Sequence, residues 1–277
     1  MKYFTASKES GKGFVMRLFK SAALAFAMYS RIPMPQVPWE EKYLKHALCF
    51  LPLVGVVIGG LEIGWFLAAR ALAASPLFYA AIAALLPVLA TGGLHIDGLM
   101  DTQDALSAFG EPEKRHAILK DPHAGAFAVI HGCLYFLLAA GCYAQLFEAG
   151  GAADALFAAL GYVASRAVCA LCVVALPCAK ESGLAYIFKN GAGKKAVAAT
   201  QIVLLVLAAA ALVWLSFLGA AVFVVLAAAC FLHFKRAVLP KFNGLTGDLA
   251  GFILTRMELV AGLAAVCGLL LRGVLGF

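Results

Sequence analysis

The sequence predicts an all-α, polytopic integral membrane protein, a bundle of about seven transmembrane helices with an amphipathic interfacial helix at its N-terminus. The first observation behind this prediction is composition, since 64% of the 277 residues are hydrophobic and only 13% are charged. An average soluble domain is roughly 45–50% apolar and about 25% charged. The second observation is that the apolar residues form stretches of about 20 residues, which is the length that crosses a bilayer. Together they exclude a cytosolic globule, a disordered chain and a nucleic-acid-binding domain.

The elements follow in chain order within one membrane-embedded domain, residues 1–277. Residues 1–47 form a basic N-terminal segment, in which Phe14 to Tyr29 is a partly apolar helix expected to lie on the membrane interface. The fifth and sixth spans are predicted to be separate helices joined by a tight hairpin near Gly219. The predicted spans are 48–70, 77–95, 124–147, 154–178, 197–216, 219–234 and 249–271.

The basic residues predict the orientation of the chain in the membrane. Eighteen of the 22 Lys and Arg residues fall in 1–47, 95–123, 179–196 and 235–247, whereas the connections on the other side carry none. By the positive-inside rule the N-terminus and all long loops are cytoplasmic, and the C-terminus is outside. We therefore expect a multi-pass protein of the cell (inner) membrane.

The most informative motif is the acidic stretch at the end of the second predicted span. Asp97, Asp101 and Asp104 stand at i, i+4 and i+7, so they share one face if the stretch is helical. Like charges at this spacing repel one another, which indicates a cation between them. Carboxylate oxygens without Cys or paired His favour Mg(II), which takes its other ligands from water and substrate phosphate. The alternative is a solvated helix face.

Four further polar features complete the candidate site. Lys120 and Asp121 precede the third span, although the same residues are an ordinary helix stop and start signal. Thr246 and Asp248 stand at the start of the seventh span, where free backbone N–H groups suit a phosphate and where Asp248 is equally a plain N-cap. Arg166 lies inside the fourth span, and such a residue meets either an anionic substrate group or an interhelical partner. The remaining intramembrane charges are Glu62, read as a packing or cavity residue, Arg256 and Glu258.

These motifs carry a resemblance to one family over essentially the full length. The chain resembles the cobalamin synthases, the adenosylcobinamide-GDP ribazoletransferases, and the Gly-Gly-Leu-His-x-Asp-Gly-Leu-x-Asp-Thr-x-Asp pattern is the most specific part of the likeness. One departure is Thr255, where the family usually has an acidic residue. The matching segments are Tyr29 to Pro35, Pro52 to Gly55, Gly92 to Asp104, Lys120 to Phe127, Ser165-Arg166 and Leu245 to Asp248.

The resemblance implies a Mg(II)-dependent membrane transferase that joins adenosylcobinamide-GDP to α-ribazole or its 5′-phosphate and releases GMP. It implies a metal site of Asp97, Asp101 and Asp104. It also implies catalytic roles for Asp104, Asp121, Arg166 and Lys120, with the proton-accepting aspartate left open. The substrate-binding residues it implies are Arg31, Arg166, Asp248, Thr246 and Glu258. The partners it implies are the small-molecule substrates and the lipid membrane, without nucleic acid; association into a homo-oligomer is left open.

Two other functions have some support in the residues. A CDP-alcohol-type phosphotransferase also uses an Asp-rich Asp-Gly motif with Mg(II), but this chain lacks the Ala-Arg pair that follows it there. A small transporter would also have seven spans and intramembrane charges. A transporter is expected to place its polar groups near the midplane with breaks in matching repeats, whereas here most polar motifs are predicted at one face.

Overall fold

The computed structural model describes residues 11–276, with side chains from residue 13 onward, and consists of helices with no β-strand in that range. A 3₁₀ turn, Leu48–Phe50, joins α2 to α3, and a π-helical turn, Phe234–Val238, and a 3₁₀ turn, Leu239–Phe242, follow α11. The twelve α-helices are α1 (Gly11–Tyr29), α2 (Glu41–Ala47), α3 (Leu51–Ala71), α4 (Pro76–Thr91), α5 (Leu94–Ser107), α6 (Pro112–Ile118), α7 (Ala126–Ala149), α8 (Ala152–Ala175), α9 (Leu184–Gly191), α10 (Lys194–Leu215), α11 (Phe217–His233) and α12 (Gly247–Leu275).

Six helical stretches of the described chain are long and apolar enough to cross a membrane, and the number is seven if the bent pair α4–α5 is one span. This confirms the predicted fold class, a multi-pass helical membrane protein. The fifth and sixth predicted spans are separate helices, because α10 ends at Leu215 and α11 begins at Phe217. Between them Ser216 caps α11, its Oγ accepting a hydrogen bond from the Gly219 backbone N–H at 3.1 Å.

The second predicted span, 77–95, is wrong at its C-terminal end. Helix α4 stops at Thr91, and the chain turns by 96° before α5 begins at Leu94. The turn is made by Gly92 and Gly93, whose φ angles of 68° and 83° lie in the left-handed region that favours glycine. The helix of aspartates, α5, is therefore a separate element set across the end of α4.

Helix α8 is the centre of the bundle and packs against α3, α10 and α12. Its approach to α3 is close because Gly55 and Gly59 face backbone atoms of Tyr162 and Ala159, leaving room for no larger residue at Gly55. Small residues at helix contacts are the usual means of tight packing in membranes. Helix α12 in turn packs against α8, α11 and α5, so it connects the core to the aspartate helix.

The N-terminal helix is present as predicted, and its interfacial position remains a prediction. Phe14 and Phe19 of α1 are 47% and 60% exposed, which leaves an apolar surface near the start of the helix. Its second half is packed into the protein through buried Ala23 and Leu24. Side chains that are apolar and exposed beside basic residues suit the boundary between lipid and water.

Candidate active site

The three aspartates of the acidic motif lie on one helix, as predicted. Asp97, Asp101 and Asp104 all belong to α5 and keep the i, i+4, i+7 spacing of a single face. Asp97 is exposed, and the other two are half-buried. None of the three carboxylates forms an ion pair with a basic side chain among residues 13–276.

A glycine brings the aspartate helix into backbone contact with the start of α12. A Cβ at Gly98 would stand 2.7 Å from the carbonyl oxygen of Asp248 and 3.2 Å from the Cα of Gly251. Gly251 in turn faces the backbone of His95, so α5 and α12 cross with glycines at the contact. This contact adds Asp248, from a distant part of the sequence, to the predicted acidic group.

The four carboxylates form one electrostatic cluster. Asp101 interacts with the charges of Asp97, Asp104 and Asp248, all of the same sign. Gly125 at the start of α7 lies directly against the Asp104 carboxylate, where a Cβ would overlap both oxygens. We call Asp97, Asp101, Asp104 and Asp248 the aspartate cluster.

The donor set of the cluster suits Mg(II) as a partly hydrated ion. Within the described residues no three His, Cys, Asp or Glu side chains converge closely enough to hold a metal by themselves. Mg(II) is usually held by one or two carboxylates, with waters and substrate phosphates completing its octahedron. Four mutually repelling carboxylates that form no ion pair among residues 13–276 fit that mode of binding, because a cation relieves their repulsion.

A cavity of about 280 Å³ adjoins the cluster at the N-terminus of α12. Lys120, Lys180 and Ser182 line it together with Thr246 and Asp248. Thr246 caps α12, its Oγ1 accepting a hydrogen bond from the Leu249 backbone N–H at 3.2 Å. The predicted residues Lys120, Thr246 and Asp248 are therefore brought together. Lys120 and Lys180 place two cations beside the N–H groups at the start of α12, an arrangement that suits phosphate.

The sequence reasoning missed Lys180 and Ser182. Their loop reaches the site because it pairs with the segment before α12: the Leu245 backbone N–H donates to Pro177 O at 2.8 Å, and the Ala179 N–H donates to Leu245 O at 3.0 Å. The two segments are far apart in the sequence and carry no shared motif. The only available signal was a lysine in a loop that contains several lysines.

Asp121 is not part of the aspartate cluster. Its carboxylate accepts a hydrogen bond from the His123 backbone N–H at 2.9 Å and lies 2.8 Å from His123 Nδ1. These hydrogen bonds from His123 lower the pKa of Asp121. The side chain is largely exposed and its hydrogen bonds close a local turn between α6 and α7. A catalytic role for Asp121 stays a prediction.

Arg166 and Glu258 are partners of each other inside the bundle. Arg166 Nη1 lies 2.5 Å from Glu258 Oε1, and the Arg166 side chain is fully buried. This is the interhelical salt bridge that was the alternative to a substrate contact for Arg166. Glu258 is ten residues beyond Asp248, which is about 15 Å along a helix. The pair therefore lies about 15 Å along α12 from Asp248, and it borders the first turn of α5, where His95 and Ile96 line the same small cavity.

Polar groups are thus present at two depths, not at one face alone. Glu62 is buried, as expected for a packing or cavity residue, and accepts a hydrogen bond from the Tyr162 hydroxyl at 3.2 Å. Tyr143 makes a further hydrogen bond with Tyr162. The expectation that the polar groups concentrate at one face was therefore incomplete.

Arg31 lies at the α4–α5 turn. Its backbone N–H donates to Ala90 O at 2.8 Å, and a Cβ at Gly92 would stand 2.6 Å from Arg31 Nε. Glycine at position 92 therefore provides both the left-handed turn and the space for this side chain. Substrate binding by Arg31 stays a prediction.

The sequence pattern of the cobalamin-5-phosphate synthase family matches residues 21–266. A relative from Lachnoclostridium phytofermentans, named adenosylcobinamide-GDP ribazoletransferase, is 39% identical over 251 residues, covering 91% of this chain and 95% of the relative. Relatives of the same name from Pseudomonas savastanoi pv. phaseolicola and Clostridium botulinum are 35% and 31% identical, over 86% and 90% of this chain and 94% and 98% of their own lengths. No solved structure matches the chain. Because the family match covers most of the sequence, the chain belongs to the cobalamin-5-phosphate synthase family and is a transferase.

Proposed function

We propose that the protein transfers the cobinamide phosphoryl group of adenosylcobinamide-GDP to a hydroxyl of α-ribazole or its 5′-phosphate and releases GMP. The observation that carries this proposal is the aspartate cluster beside a cavity lined by Lys120 and Lys180. Phosphoryl transfer is catalysed mainly by positioning and by neutralising charge. Carboxylates for a cation and lysines for phosphate oxygens are the groups that such a reaction needs.

Mg(II) is the metal that we propose for the cluster. Asp97, Asp101 and Asp248 would hold it, with Asp104 next to them. When bound, the ion supplies positive charge to the diphosphate and to the departing GMP. Gly98 and Gly125 contribute by allowing the backbone of α12 and of α7 to approach these carboxylates.

In the proposed step, the ribazole hydroxyl oxygen forms a bond to the phosphorus that carries cobinamide. The phosphoanhydride bond from that phosphorus to GMP breaks, and GMP leaves with the electron pair. The hydroxyl proton passes to a carboxylate, for which we propose Asp104. Asp104 is preferred to Asp121 because the Asp121 carboxylate is already occupied by His123 and lies outside the cluster.

Lys120 and Lys180 orient the diphosphate in this proposal. Both line the cavity that reaches Asp248, and neither makes an ion pair within the described part of the chain. The positive-inside pattern predicts that these loops are cytoplasmic, so we further propose that the substrates enter from the cytoplasm and that the C-terminus is outside.

The test uses purified full-length protein in lipid nanodiscs with adenosylcobinamide-GDP, Mg(II), and either α-ribazole or its 5′-phosphate. We expect stoichiometric GMP and cobalamin product, with the faster acceptor identifying the natural one. Absence of product with both acceptors would refute the proposed reaction. Substrate uptake into proteoliposomes without any product would instead favour a transporter.

A further inference from the structure

A small polar cavity lies behind the α4–α5 turn, away from the aspartate cluster. Its volume is about 10 Å³, measured as the room for the centre of a water molecule. Polar side chains on five helices line it: Thr91, His95, Tyr135, Arg166, Thr255 and Glu258.

Hydrogen-bond donors on the Arg166 guanidinium are only partly used. Nη1 donates to Tyr162 O at 3.0 Å, to Ser165 Oγ at 3.2 Å and to Glu258 Oε1 at 2.5 Å. Arg166 Nε and Nη2 are buried without a hydrogen-bond partner, and so is His95 Nε2. An unpaired buried polar group costs about 1–3 kcal/mol, and more when the group is charged. Three such atoms at one cavity indicate that something hydrogen-bonds there.

Charge and size decide what that occupant is. The Arg166–Glu258 pair is neutral as a whole, so the cavity has no net charge to hold an anion. A space of about 10–15 Å³ is enough for one water, which needs two to four polar partners. Water also accepts from an arginine N–H and can donate to or accept from a histidine nitrogen, whichever tautomer is present.

We propose that one buried water joins Arg166 to His95, and that the Arg166–Glu258 pair thereby positions the aspartate helix rather than contacting substrate. His95 stands in the first turn of α5, two residues before Asp97. Its ring stacks on Tyr29 with centroids 6.4 Å apart. A second tether acts at the same residue, because the Thr255 hydroxyl donates to His95 O at 3.0 Å.

These contacts connect the deep ion pair to the cluster through a short rigid path. Arg166 and Glu258 come from the two central helices, α8 and α12, so they form a fixed reference within the bundle. The water and Thr255 attach the first turn of α5 to that reference, and the glycine contact at Gly98 sets its distance from α12. Arg166, Glu258, His95 and Thr255 are therefore positioning residues.

The experiment compares His95→Leu with His95→Gln in the full chain in nanodiscs. Hydrogen exchange of residues 97–104 is followed by mass spectrometry without substrate, and residues 197–212 of α10 are the internal control. We expect His95→Leu to speed exchange in 97–104 about fivefold or more, the effect of one lost buried hydrogen bond, and to leave α10 unchanged. His95→Gln keeps a polar atom near the position of Nε2 and should restore slow exchange.

Turnover provides a second readout. Only this readout, and not hydrogen exchange, rests on the proposed function. We expect His95→Leu to lower kcat more than it raises KM, with recovery in His95→Gln. Wild-type protein that releases no GMP while exchange in 97–104 still responds to His95→Leu would refute the proposed reaction and support the positioning role. Normal turnover in wild type and in His95→Leu, with unchanged exchange, would refute the positioning role alone.

Two more results would overturn the inference. If hydrogen exchange in 97–104 and kcat change equally in the Leu and Gln variants, the polar atom at position 95 is irrelevant. Faster exchange throughout the chain would show general destabilisation. If His95→Leu does not fold, Thr255→Val with Thr255→Ser as its control makes the same comparison at the second tether. A structure at a resolution that shows ordered water should contain density between Arg166 and His95, and an empty cavity there would contradict the proposal.

Discussion

Replacing Gly98 with Ala tests whether the contact between α5 and α12 builds the aspartate cluster. Helix α5 gains intrinsic helix propensity from this change, about 1 kcal/mol in an exposed helix. The new Cβ, however, would stand 2.7 Å from the Asp248 carbonyl oxygen, where ordinary contact begins at 3.4 Å. The obstacle is the backbone of α12, so no side chain can rotate away to make room.

The geometry gives the size of the expected effect. The two helices must separate by at least 0.7 Å at this point, the difference between 2.7 and 3.4 Å. A misplacement of about 1 Å in an active site can lower the rate about 10²-fold, and overpacking a close contact costs roughly 1–3 kcal/mol of stability. We therefore expect Gly98→Ala to lower kcat by about two orders of magnitude in protein that still folds.

The assay is GMP release by nanodisc-embedded protein, alongside thermal unfolding followed by tryptophan fluorescence. Gly60→Ala is the matched control, because a Cβ at this helical glycine would meet nothing within 4 Å. The control should keep wild-type turnover. If Gly98→Ala also keeps it, the close approach of α5 to α12 does not build the site and the reasoning fails.

Three further predictions follow from individual side chains. Asp104→Asn should abolish turnover, whereas Asp121→Asn should change kcat less than about threefold, because only Asp104 belongs to the cluster; equal losses would contradict this assignment. Lys180→Met should raise KM for the nucleotide substrate about tenfold, the effect of one lost hydrogen bond to a charged group, and an unchanged KM would remove Lys180 from the site. Ser216→Ala should lower the free energy of unfolding by about 1 kcal/mol through loss of the α11 cap, with kcat unaffected; unchanged thermal unfolding would show that the cap does not stabilise the hairpin.

Hydropathy and helical spacing predicted the helices and the face of aspartates. The transmembrane segments are visible because each is a long apolar run, and the hairpin after α10 is visible because a glycine and the return of the chain require it. Asp97, Asp101 and Asp104 share a face as soon as the stretch is helical. These are local properties of the chain, which is why the sequence was sufficient for them.

The remaining features depend on contacts between distant segments. The turn at Gly92 and Gly93 lies inside an apolar stretch, and hydropathy contains no information about the left-handed backbone conformation of a glycine. The pairing of Arg166 with Glu258 joins residues 92 positions apart, so each could be read only as a buried charge in need of a partner. Lys180 lies in the site because the backbone of its loop pairs with Leu245. No sequence motif predicts this pairing.

The aspartate cluster is proposed to be the Mg(II)-dependent centre of phosphoryl transfer. The most direct test is to measure GMP release by Asp101→Asn as a function of Mg(II) concentration. The matched control is Glu148→Gln, an exposed carboxylate at the opposite end of α7 from Gly125. We predict that the rates of wild type and of the control depend on Mg(II) identically. For Asp101→Asn we predict either a rate at least about 10²-fold lower at every Mg(II) concentration, or a wild-type rate that is reached only at a much higher Mg(II) concentration. Wild-type rates and metal dependence in Asp101→Asn, or full turnover of wild type in the presence of excess chelator, would contradict this account of the site.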